Sequence, residues 1–121
     1  MLSSLTLIVP YYEAPAMLAL QVRNWNEYPA ELADHLRVIV VDDASQHNPA
    51  APIMKPCRVP HAVFRIQDLI PWNQHGARNL GADRAAAGWL LLTDVDIVIP
   101  LTAMGVLLNS ALDPGCWYTV D

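Results

Sequence analysis

Val38-Ile39-Val40-Val41, opened by Arg37, is an unbroken β-branched run that stops at Asp42-Asp43-Ala44-Ser45. No position alternates to a polar residue, so neither face of such a strand meets water. That is the pattern of a strand in a parallel sheet with helices on both sides. Parallel neighbours need crossover connections, so the segments before and after this run must supply further strands and helices.

They do so in order. Leu5 to Val9 is a short apolar run closed by Pro10, which cannot donate to a ladder and is expected to end the first strand. From Pro15 to Trp25, Met17, Leu18, Val22 and Trp25 recur near helical spacing, and Pro15 suits a first turn whose N–H groups need no partner. Residues 46–60 hold Pro49, Pro52, Pro56 and Pro60 without periodicity and read as an irregular crossover, followed by a strand from Ala62 to Ile66. Gly76 to Ala87 reads as a helix with Gly88 where a C-terminal cap belongs, and Trp89 to Thr93 as a buried strand ending in Asp94-Val95-Asp96. A helix from Leu101 to Leu112, a turn at Asp113-Pro114-Gly115 and a strand from Cys116 to Val120 complete the series.

This alternation predicts an α/β fold, a mainly parallel sheet with flanking helices, in one domain spanning residues 1–121. Ligands of such sheets bind beyond the carboxyl ends of the strands. The three most polar clusters stand at such ends: Pro10-Tyr11-Tyr12-Glu13, Asp42-Asp43-Ala44-Ser45 and Asp94-Val95-Asp96.

Composition narrows the partners. With 54% hydrophobic and 16% charged residues the chain can bury a core. A net charge of −5 and seven scattered Lys and Arg residues argue against nucleic acid. An anionic small ligand stays compatible if a cation intervenes. Cys57 and Cys116 belong to no metal or redox motif and read as ordinary thiols in a reducing compartment. The N-terminus lacks the positive residues of a secretory signal, and no apolar run approaches the roughly 18 residues needed to cross a bilayer. A soluble, cytoplasmic chain without a transmembrane segment is expected.

Two carboxylates one residue apart at a strand end, Asp94 and Asp96, make a negative site suited to a hard cation, Mg²⁺ or Mn²⁺, shared with a diphosphate. The same residues also fit a solvated strand end or a helix cap. Asp43 is an acid available to a base or ribose, although Asp42, Asp43 and Ser45 equally suit turn capping. The P-loop and dinucleotide readings fail, because neither G-x-x-x-x-G-K-[ST] nor G-x-G-x-x-G is present. Tyr11 and Tyr12 offer aromatic faces to a base or pack at the rim. Arg78, near a helix start, either helps to bind an anion or pairs with a strand-end acid. His35, His47 and His61 show no ligand spacing, and only His75 stands beside the proposed site.

Taken in order, Leu7-Ile8-Val9-Pro10-Tyr11-Tyr12, Val40-Val41-Asp42-Asp43-Ala44-Ser45, Gly76-Ala77-Arg78-Asn79-Leu80-Gly81 and Thr93-Asp94-Val95-Asp96 resemble the signature series of family 2 glycosyltransferases. The resemblance covers Leu5 to about Pro100. It implies the Rossmann-like GT-A fold, a nucleotide-diphosphate sugar donor with a UDP-sugar favoured, Mn²⁺ or Mg²⁺, and transfer with inversion. By matching position it implies donor contacts from Pro10, Tyr12, Asp43 and Asp94, with Arg78 and Asn79 bracing that edge. Asp96 is implied as the direct metal ligand and Asp94 as a ribose or metal-shell contact. Glu13 stands where the family often has Asn.

In this family the catalytic base and most of the acceptor site come from sequence well beyond the metal motif, whereas this chain stops at Asp121. The reading is therefore of an incomplete domain with its base beyond Asp121, and Asp113 is not promoted to that role. A terminal strand from Cys116 would leave an apolar edge uncovered and favour self-association. The alternative is a donor-binding or interaction module of the same fold without turnover. A nucleotidyltransferase lacks support, since no glycine-rich basic triphosphate loop lies near the N-terminus.

Overall fold

The computed structural model describes residues 4–86 and 88–119. Four strands, β1 (Leu5–Tyr11), β2 (Leu36–Asp42), β3 (His61–Arg65) and β4 (Trp89–Leu92), form one sheet in the order β3-β2-β1-β4. Every pairing is parallel, with Leu7 opposite Val38 and Leu91, and Val40 opposite Val63.

Pro10 does not end β1; it lies inside it, opposite Val41. Successive residues of a parallel strand bond to opposite neighbours. Tyr11 accepts from Asp43 N on the β2 side at 2.8 Å, and Ile8 accepts from Thr93 N on the β4 side at 3.2 Å. Pro10, two residues after Ile8, therefore faces the β4 side beyond the last pair, Ile8 with Leu92, where no ladder partner needs its missing N–H.

Both faces of β1 and β2 are covered, as the β-branched run requires. On one face Leu5, Leu7, Val9, Val38 and Val40 pack with Leu18, Val22 and Trp25 of α1 (Pro15–Asn26), Ala50 and Met54 of α3 (Ala50–Met54), and Met104 and Leu108 of α5 (Leu101–Leu108). On the other, Ile8, Ile39 and Val41 receive Ala77 and Leu80 of α4 (Gln74–Arg84). A single turn, α2 (Ala30–Ala33), precedes β2.

Several expected boundaries move. The 46–60 crossover contains α3, whose start tolerates Pro52 because first-turn N–H groups have no intrahelical partner. β3 starts at His61 and ends at Arg65. The helix expected over Gly76–Ala87 starts at Gln74 and stops at Arg84, and Ala87 lies outside the described residues. Gly88 leads into β4 rather than capping that helix. Its φ is +135°, and a Cβ there would stand 2.2 Å from Ser4 Oγ.

β4 ends at Leu92 and is a half-exposed edge rather than a buried strand, because α4 covers the β1–β2 side and leaves Leu90 and Leu92 open. α5 ends at Leu108, not Leu112. Residues 116–119 form no strand: Asp113 organises a tight turn by accepting from Gly115 N at 2.8 Å, and Trp89 packs beside Tyr118. Val120, the expected end of that strand, lies outside the described residues. Among the described residues β3 and β4 are the two edges of the sheet. No helix among the described residues is long and apolar enough to cross a membrane.

Candidate functional site

A cleft of about 720 Å³ opens at the carboxyl ends of the strands. Pro10 and Tyr12 line it from β1 and its end, Asp43 from the end of β2, and Asp94 and Asp96 from the segment after β4. Met17 of α1, the Leu69–Asn73 segment between β3 and α4, and Gln74 at the start of α4 add to the walls. Sheet order dictates this convergence. β1 lies between β2 and β4, so acids 51 positions apart in sequence flank the same central strand.

The two tyrosines separate. Tyr11 is buried, and its hydroxyl donates to the Asn48 carbonyl at 2.6 Å, so its ring belongs to the core and not to a stacking face. Burial pushes its pKa up, which keeps that hydroxyl a donor. Tyr12 is 51% exposed and free to meet a planar ligand.

The two aspartates separate in the same way. Asp42 is fully buried: Oδ1 accepts from Ser45 N at 2.9 Å, Oδ2 accepts from Ala50 N at 2.8 Å, and Arg65 stands 3.4 Å away. It shapes the turn after β2 and caps α3. Asp43 faces the cleft, with Asn73 Nδ2 at 3.5 Å from Oδ1. Burial raises its pKa above the usual carboxylate value; the Asn73 contact opposes this and neighbouring Asp42 adds to it.

Glu13 does not take part in the cleft. Its backbone N–H donates to Ser45 Oγ at 2.9 Å, and its carboxylate accepts from Asn48 N at 2.8 Å and His47 N at 3.2 Å. It ties the β1 end to the loop after β2, which explains an acid where Asn was the expected type. Glu13, Ala44 and Trp72 are the non-glycine residues with positive φ among the described residues, at 44°, 61° and 57°. All three belong to the loops that shape the cleft, where strained backbone tends to collect.

Arg78 pairs with Asp94, so the pairing alternative holds, and Gln74 Nε2 donates to the same Asp94 oxygen at 2.9 Å. Adjacent residues Asn73 and Gln74 therefore reach acids at the ends of two strands, β2 and β4. The start of α4 spans the cleft floor. Gly76 makes this feasible, since a Cβ there would meet Asn73 Oδ1 at 2.2 Å and displace the side chain that reaches Asp43. Asn79 is exposed on α4 and, like His75, does not line the cleft.

With Asp94 Oδ1 held by Arg78 and Gln74, its second oxygen has no hydrogen bond among the described residues, and the Asp96 carboxylate has no partner there. No group of three or more His, Cys, Asp or Glu among the described residues forms a closed cage. Such an open pair fits Mg²⁺ or Mn²⁺, which are commonly held by one or two carboxylates together with phosphate oxygens and water.

Sequence reasoning missed two elements of this site. Leu69, Ile70 and Trp72 form an exposed apolar wall, with Trp72 99% exposed. On the opposite side, Gln21 of α1 donates to the carbonyls of Val95 at 2.8 Å and Ile97 at 2.7 Å, while Asn24 reaches Ile99 O at 2.8 Å. The signal was available: Gln21, Asn24 and Tyr28 recur at helical spacing beside the apolar face of α1.

The sequence profile of glycosyl transferase family 2 matches residues 6–120. The chain belongs to glycosyl transferase family 2. Among solved structures, TarS 1–349 of S. aureus is similar with a TM-score of 0.69 at 19% identity, covering 86% of this chain and 31% of that one. The mannosyltransferase PcManGT from Pyrobaculum calidifontis, in complex with GDP-Man and Mn²⁺, gives a TM-score of 0.69 at 23% identity over 87% of this chain and 30% of its own. TarS 1–349 in complex with UDP gives 0.56 at 23% identity over 81% and 29%. These likenesses bear on the fold, which is that of GT-A glycosyltransferases. The chain spans about a third or less of the length of these structures. No curated protein matches the sequence.

Proposed function

We propose that the cleft binds a nucleotide-diphosphate sugar together with Mn²⁺ or Mg²⁺, and that residues 1–121 are the donor-binding domain of an inverting glycosyltransferase. The observation that carries this reading is the convergence of Tyr12, Asp43, Asp94 and Asp96 on one cleft from three strand ends. Family membership supports the reaction class. Similar folds hold GDP-Man with Mn²⁺ in one structure and UDP in another, which supports the ligand class. A UDP-sugar is our first choice of donor.

Each group has a role in this reading. Tyr12 and Pro10 flank the base, Asp43 accepts from a base or ribose donor, and Asp96 and the free oxygen of Asp94 hold the cation. Arg78 and Gln74 fix Asp94 without needing to touch the ligand. The cation would neutralise charge developing on the diphosphate leaving group. Asp43, Asp94 and Asp96 are the acids lining the cleft, and all three are assigned to donor and metal binding. We therefore assign no base among the described residues. The free thiols Cys57 and Cys116 suit a cytoplasmic setting.

Calorimetric titration of UDP and GDP, with and without Mn²⁺, tests the proposal. UDP binding that strengthens with Mn²⁺ and loses that gain in Asp96→Ala is expected. Binding indifferent to both the metal and the substitution would overturn it.

A further inference from the structure

We propose that Gln21 is a positioning residue for the cation site, acting through the backbone on either side of Asp96. This deepens the metal-dependent reading above and rests on it. Gln21 lies in the middle of α1 and is 1% exposed, among Leu18, Val22 and Trp25. Its Nε2 donates to the carbonyls of Val95 and Ile97, the two residues that flank Asp96. Both acceptors are carbonyls, so only the amide nitrogen can face them, and both of its hydrogens are used. Farther along α1, Asn24 Nδ2 and the Tyr28 hydroxyl converge on Ile99 O.

The segment so held is neither strand nor helix, which leaves its carbonyls without ladder partners. A leucine at position 21 would suit the apolar face of α1 but would leave two carbonyls unsatisfied. A carbonyl cut off from water and left without a donor is destabilising. The side-chain amide meets that need and also fixes the peptide units on both sides of Asp96. The Asp96 carboxylate, unpartnered among the described residues, is thereby aimed into the cleft before any ligand arrives. Preorganisation of this kind lowers the ordering cost of binding. Arg78 and Gln74 hold Asp94 from α4 while Gln21 holds the Asp96 backbone from α1, so the two acids are fixed from opposite faces of the sheet.

The test compares wild type with Gln21→Met, which keeps length and loses the donor, and with Gln21→Glu, which turns an acceptor toward two carbonyls. Three quantities are read: the Mn²⁺ concentration that half-saturates the gain in UDP affinity, uridine affinity in EDTA, and amide hydrogen exchange over residues 95–99 without metal. Both variants are expected to raise the half-saturating Mn²⁺ by roughly 10–100-fold, as loss of outer-shell support does. They should speed exchange over 95–99 and leave uridine affinity within about twofold. Unchanged Mn²⁺ dependence would overturn the role. So would a parallel loss of uridine and Mn²⁺ affinity, which marks a general structural defect. A wild-type chain with no Mn²⁺-dependent UDP binding would instead refute the proposed function, and this role with it.

Discussion

Trp72 offers the sharpest perturbation of the cleft wall. Its side chain is 99% exposed and its φ is 57°, so the free protein gains no burial from the indole and carries backbone strain. Sheet order places Asp43 between the β1 end, with Tyr12, and the connection that bears Trp72. A base reaching Asp43 would therefore pass between two aromatic faces. A tryptophan buries about 150–250 Å² in full, so covering one face removes roughly 100 Å² from water, worth about 2.5 kcal/mol at ~25 cal/mol per Å². Trp72→Ala should then weaken UDP binding by roughly 70-fold. Stability should shift by no more than about 0.5 kcal/mol, since an exposed side chain is removed. Trp72→Gly, which accommodates positive φ, should lose the same affinity and be no less stable than Trp72→Ala. Calorimetry gives the affinities and urea unfolding the stabilities; indole fluorescence is expected to be quenched by UDP in wild type and to lose most of that response in both variants. Binding by Trp72→Ala within twofold of wild type would refute the stacking argument.

Two further outcomes follow from the paired aspartates. Asp42→Ala strands the Ser45 and Ala50 N–H groups and should lower stability by roughly 2–5 kcal/mol in urea unfolding, whereas Asp42→Asn keeps an acceptor and should lose less. Asp43 has a folded pKa raised above 3.8, so its contribution to stability is fully present below that value and is lost as pH rises through the folded value. Asp43→Asn should therefore match or exceed wild-type stability at pH 7, lose that advantage by pH 3, and bind UDP more weakly at pH 7. A destabilised Asp43→Asn at pH 7 would contradict the burial argument.

The strands were legible because Val38 to Val41 and Leu5 to Val9 can hardly be anything but buried strands, and their order with the intervening helices led to the right sheet class. Pro10 was misread because a proline is excluded only from positions whose N–H faces a partner, and the side it faces depends on how far β4 extends. α3 was hidden by prolines that its first turn tolerates. The strand expected from Cys116 failed because Asp113 closes a turn there instead of starting an edge. In the cleft, Tyr12, Asp43, Asp94 and Asp96 could be chosen from motif order, and Arg78 as a partner for a strand-end acid, but the other neighbours could not. Tyr11 and Tyr12 differ by one position and differ in role because strand alternation sends one ring to the core. The Asn73, Gln74 and Gln21 contacts join segments 20 to 76 residues apart; the spacing of Gln21, Asn24 and Tyr28 marks a polar stripe on the helix, but no local pattern names the partners of these side chains.

The cation position is the claim on which the rest depends. Paramagnetic broadening of amide signals by substoichiometric Mn²⁺, recorded with UDP on isotopically labelled chain, reads that position directly. The account predicts broadening centred on Asp94 to Ile97, extending to Tyr12 and Gln74, and absent in Asp96→Ala. Broadening centred elsewhere, or unchanged in Asp96→Ala, would contradict it.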